Sequence, residues 1–141
     1  MLISGDTIRV DVGEYTSANS KHRDLVLPNL TGLKIIGAGN NETVFTNYNG
    51  TDHNFMFITK NDTELQDLRL VNFAKETCGG PETGQTIGVA ANVTGVKITR
   101  VVVDNNETSS NLCGYPINVN SGASVTFSGG GSSCNTWDGG A

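Results

Sequence analysis

Phe55-Met-Phe-Ile-Thr-Lys-Asn-Asp-Thr-Glu-Leu-Gln-Asp-Leu-Arg-Leu-Val-Asn72 decides how the rest of the chain is read, because it recurs. It returns as Ile87-Gly-Val-Ala-Ala-Asn-Val-Thr-Gly-Val-Lys-Ile-Thr-Arg-Val-Val-Val-Asp-Asn105, and in shortened form as Ile117-Asn-Val-Asn-Ser-Gly-Ala-Ser-Val-Thr-Phe127. Each copy runs from a short alternating strand through an Asn/Gly/Thr/Asp turn into a second alternating strand. Phe57, Val89 and Val119 fall in step about thirty residues apart, which predicts that they stack inward on one sheet. Units of this kind bury their apolar faces against one another.

Outward from the repeat, the same grammar holds. Strands are expected at 7–12, 24–27, 33–36, 43–46, 55–59, 65–71, 87–90, 96–103, 116–119 and 124–127, separated by Gly, Asn and Asp, with Gly13-Glu-Tyr-Thr16 read as a turn. Pro28 ends its strand because it cannot donate to a ladder. The connections are too short for crossover helices, and hairpins alone do not produce a thirty-residue recurrence. A parallel β-helix explains both, with each strand lying on its counterpart one coil earlier. The prediction is an all-β β-solenoid of about four to five coils, forming a single domain over 1–141. Eighteen Gly, many Asn and Thr, and few of the residues that helix interiors favour agree with it.

Ser4-Gly-Asp-Thr-Ile-Arg-Val-Asp-Val-Gly-Glu-Tyr-Thr16, followed by Gly32-Leu-Lys-Ile-Ile-Gly-Ala-Gly-Asn-Asn-Glu-Thr-Val-Phe45, resembles the opening coils of right-handed parallel β-helix proteins, the pectin-lyase-like superfamily. That resemblance implies a right-handed β-helix. It says little of activity, since the superfamily holds lyases, hydrolases, esterases, adhesins and passive surface proteins.

The enzymes of that superfamily cluster carboxylates on one sheet for metal or acid/base work, with an Arg or Lys nearby. The Gly-His-Gly and paired-Asp signatures of its hydrolases are missing from this sequence. Arg100-Val-Val-Val-Asp104-Asn105 lies where pectate lyases end a strand in Asp-His, and Asn105 replaces that His. Asp67 and Asp104 are the nearest approach to a stacked acidic pair, and are read, with Lys97 and Arg100, as solvated. His22 and His53 lie far apart without further ligands, so no metal site is expected. Gly37-Ala-Gly-Asn-Asn has no following helix to make it an anion loop. No catalytic residue, cofactor or metal is assigned.

The sequons carry more. Asn29, Asn41, Asn49, Asn61, Asn92 and Asn106 each begin Asn-x-Thr. Sixteen Asn and 26 Ser or Thr in 141 residues give roughly three by chance. Six is an excess, and covalent N-glycans on these turns are expected, although turns rich in Asn and Thr are the structural alternative. Cys78, Cys113 and Cys134 follow the second strand of successive repeats, and a Cys78–Cys113 disulfide is expected, with Cys113–Cys134 as the other adjacent pairing.

A net charge of −5 without a basic face argues against nucleic acid, and no run of eighteen apolar residues is present to cross a membrane as a helix. The start lacks a secretory leader's basic stretch and apolar core, and the end lacks a closing element. The chain is therefore read as a fragment of, or module in, a longer surface protein. The expected role is a non-catalytic structural or adhesive module, extracellular or at the cell surface, that associates end to end with copies of itself or with flanking coils. The alternatives are a fragment of a carbohydrate-active β-helix enzyme and a carbohydrate-binding module, with polysaccharide as ligand.

Overall fold

The computed structural model describes residues 1–16, 25–26, 29–47, 54–73, 85–104 and 115–133. Among them the regular structure is all strand. In chain order these are β1 (Thr7–Arg9), β2 (Gly13–Thr16), β3 (Leu25–Val26), β4 (Lys34–Ile36), β5 (Thr43–Thr46), β6 (Met56–Ile58) and β7 (Glu64–Gln66). They continue as β8 (Arg69–Val71), β9 (Gln85–Val89), β10 (Val96–Thr99), β11 (Val102–Asp104), β12 (Tyr115–Val119), β13 (Val125–Ser128) and β14 (Gly131–Ser133).

Every strand pairing is parallel, and the chain visits three sheets in rotation. The first sheet has the order β1-β4-β7-β10-β13, the second β14-β11-β8-β5-β2, and the third β12-β9-β6-β3. Each strand thus lies against the strand three earlier, an arrangement compatible with a solenoid. The alternation of the sequence explains the core, because side chains on one pleat point inward and those on the other point out. Ile8, Ile35, Leu65, Ile98 and Phe127 occupy one column of the first sheet. Tyr15, Phe45, Leu70 and Val103 form a column of the second. Ile58, Val89 and Val119 align in the third. Leu65, Leu70, Ile58 and Val89 are wholly buried. Rings extend the core: Tyr15 stacks on Phe45 with centroids 5.0 Å apart, Phe45 meets Phe55 at 5.1 Å, and Phe55 meets Phe73 edge-on at 5.5 Å.

Corners are set by residues in the left-handed region. At the corner before the first sheet, Gly5, Gly32 and Asp62 have φ of 85°, 69° and 59°. Gly5 N donates to Thr31 O and Gly32 N to Asn61 O, so the corners stack as the strands do. At the corner between first and second sheets, Asp67, Arg100 and Gly129 have φ of 57°, 50° and 61°.

Three expectations need correction. Phe57 does not stack with Val89 and Val119: its partner in register is Gly88, and the half-buried ring faces outward beside Met56 and Ile58, which are buried. The true offset between these strands is 31 residues, Ile58 to Val89, and a slip of one residue exchanges the faces of a strand. Stretches 65–71 and 96–103 are each two strands, broken at Asp67-Leu68 and Arg100-Val101. Gly13–Thr16 is strand β2 rather than a turn.

Candidate functional site

The outward face of the second sheet carries a polar surface with an open groove. Register places Glu14, Val44, Arg69 and Val102 in one outward row, and Thr16, Thr46, Val71 and Asp104 in the next. Together with Asn41, which lies just before β5, these rows form an open groove of about 330 Å³ lined by Glu14, Asn41, Val44, Arg69, Val71 and Asp104, with Thr46 beside them. The two valines supply an apolar floor and the remaining side chains a polar rim.

Arg69 organises the groove. Its Nε donates to Asn40 O at 3.3 Å, its Nη2 to Asn41 Oδ1 at 3.1 Å, and its Nη1 to Asp104 Oδ2 at 3.3 Å. One planar guanidinium thereby links three successive circuits of the chain, which a lysine's point charge would not do. Thr46 Oγ1 donates to Glu14 Oε1 at 3.2 Å across the adjacent strand.

A second ion pair lies at the corner. Arg100 grips Asp67 bidentately, Nε to Oδ1 at 2.6 Å and Nη2 to Oδ2 at 2.8 Å. The Arg100 hydrogen bond holds the Asp67 carboxyl below the ordinary carboxylate range, against the partial desolvation that would raise it; Gln66 adds a further hydrogen bond. Arg100 itself is raised by the same partner. Asp67 and Arg100, expected to be merely solvated, are therefore each other's ligands. Asp67 and Asp104 do not stack: one occupies a corner, the other β11. Arg69 was not singled out by the sequence. The signal that could have found it is its place one coil after Val44, beside an Asp two residues along the next strand.

Among the sequons, Asn29, Asn41, Asn61 and Asn92 are exposed. Asn49 and Asn106 lie outside the described residues, as do His22, His53, Cys78, Cys113 and Cys134. Two sequon threonines have structural work. Thr43 is buried, receives Ala38 N at 2.8 Å and donates to Asp11 O at 3.1 Å in the neighbouring circuit. Thr63 is buried and donates to Lys60 O at 2.9 Å. Asn61 Oδ1 accepts from Thr94 N at 3.0 Å. Two different corners thus use residues of an Asn-x-Thr for their own hydrogen bonds, Thr43 ahead of the second sheet and Asn61 with Thr63 ahead of the first. This supports the structural reading of those two sequons. Among the described residues no group of three or more His, Cys, Asp or Glu is placed to hold a metal ion, and no helix is long and apolar enough to cross a membrane.

Comparison of the chain with family models, curated proteins and solved structures finds no match.

Proposed function

We propose that this chain is a non-catalytic structural or adhesive module of the extracellular space or cell surface: a right-handed parallel β-helix of four to five coils, N-glycosylated at its turns and extended end to end. Handedness follows from the rule that parallel strands of one sheet are joined by right-handed crossovers, and from the resemblance of the opening coils to the pectin-lyase-like superfamily. The observation that carries the reading is the character of the two ends. Among the described residues, β1, β2 and β3 form the edges at one end, and β13, β14 and β12 those at the other. The large exposed apolar side chains also gather there: Leu2, Ile3 and Val12 at the first end and Phe127 at the second. Edge strands template further parallel pairing, and a head-to-tail contact that does not close gives a filament. A Cys78–Cys113 disulfide would tie neighbouring coils within the module.

Light scattering across a concentration series tests it. Concentration-dependent growth of the 141-residue chain, with neither end covered by added sequence, is the expected result; a stable monomer at high concentration overturns it. A second reading, a carbohydrate-contacting module, is favoured by the groove's apolar floor and polar rim, the lining that suits a sugar ring.

A further inference from the structure

We infer that the groove on the second sheet is the resting place of the chain's own glycan, attached at Asn41. This deepens the glycosylated reading above and rests on it. Three observations converge. Among the described residues, Asn41 is the one exposed sequon asparagine that lines the groove. Its Oδ1 is engaged by Arg69 Nη2, so the amide is oriented and Nδ2 is the atom left for the sugar. Arg69 is in turn anchored at Asn40 O and Asp104 Oδ2, which makes the orientation a property of three circuits rather than of one mobile side chain.

The chemistry of the groove matches an N-acetylhexosamine. Such a ring has an apolar face of axial C–H groups and a rim of hydroxyl and acetamido groups. Val44 and Val71, diagonal neighbours on adjacent parallel strands, offer the face a floor. Glu14 and Asp104 accept from hydroxyls, and Thr46, whose one O–H is given to Glu14, accepts as well. Asp104 is already paired with Arg69, and Glu14 accepts from Thr46 while staying exposed at the rim, so a neutral sugar enters without stranding an ion. Attachment balances simply. Asn41 Nδ2 displaces the diphosphate of a polyprenyl-diphosphate-linked oligosaccharide: the N–C1 bond forms, the C1–O bond breaks, the diphosphate leaves with the electron pair, and the amide proton passes to a base of the transferase. Folding then lays the first sugars along the sheet.

The test is site-resolved release of glycans by an amidase that cleaves the sugar–asparagine bond, applied to folded protein secreted from a glycosylating eukaryotic host. The Asn41 glycan is expected to be released about tenfold more slowly than those on Asn61 and Asn92, because only the fraction lifted from the groove is cleaved. Arg69→Ala should abolish the difference, with Asn61 and Asn92 rates unchanged. Val71→Asn, which alters the groove floor and spares the buried core, should do the same if Arg69→Ala fails to fold. Equal release at all three sites overturns the inference, as does slow release that survives both substitutions. Sugar on Asn61 and Asn92 with a bare Asn41 also overturns it while leaving the glycosylated module intact. Bare asparagine at every sequon ends both.

Discussion

At the scale of single residues, the corner between the first and second sheets places two non-glycine residues in the left-handed region one above the other. Asp67 and Arg100 bear that conformation with a bidentate ion pair between them, and Gly129, in the next circuit, has the same conformation without a side chain. Arg100 is half exposed, so the pair acts in water and is screened by salt. Its pH dependence has a definite sign. The folded carboxyl titrates below its unfolded value of about 3.9, so its stabilisation is fully present above that value and is lost as pH falls through the lowered one. Asp67→Asn should therefore flatten the acid limb of a Tm-against-pH curve below about pH 4, and an unchanged acid limb would count against the pair. Gly37 presents the opposite requirement, space rather than conformation: a Cβ there would run into the carbonyl oxygen of Asp67, a backbone atom with no rotamer to adopt. Gly37→Ala is expected to cost about 1–3 kcal/mol, measured by chemical denaturation.

Among elements, what matters is whether a strand has a neighbour on both sides. Leu70 of β8 is wholly buried, with Phe45 and Val103 in register above and below. Ile8 of β1 is half-buried and has Ile35 on one side only among the described residues. Leu70→Ala should cost about 2–5 kcal/mol, and Ile8→Ala no more than about half as much, in parallel denaturant titrations. Equal losses would contradict the stacking of circuits. Strand character and the existence of stacked units were legible because alternation and polar turns depend on local sequence. Register was not. Successive circuits differ by 27 residues at β1 and β4, 30 at β4 and β7, and 33 at β7 and β10, so a constant period cannot say which face Phe57 occupies. The bends at Asp67 and Arg100 were hidden because Arg rarely enters the left-handed region and Asp does so only occasionally, so neither marks it as Gly does. The groove escaped notice for a related reason: Arg69, Asn41 and Asp104 are 28 and 35 residues apart along the chain, and only the correct register brings them together.

For the whole molecule, apolar exposure at the ends is the property to alter. Val12→Lys and Phe127→Lys change residues that are 66% and 42% exposed. Each should weaken end-to-end growth in light scattering. Val12→Lys should shift Tm little, because surface substitutions outside special features fall within about 0.5 kcal/mol. Phe127 continues the inward column over Ile98, so its replacement should lower Tm as well. Growth unaffected by both would show that the ends do not meet. The ladder itself has a further consequence. Its hydrogen bonds run from circuit to circuit, along the direction in which circuits are stacked. Tension applied between the two ends would therefore load these bonds along their length and open one layer before the next, as a zip rather than a shear clamp. Each circuit of about thirty residues would add roughly 100 Å of extended chain at ~3.4 Å per residue. Held in a surface layer, such a chain would give way in steps and shed load gradually, and single-molecule stretching would read those steps directly.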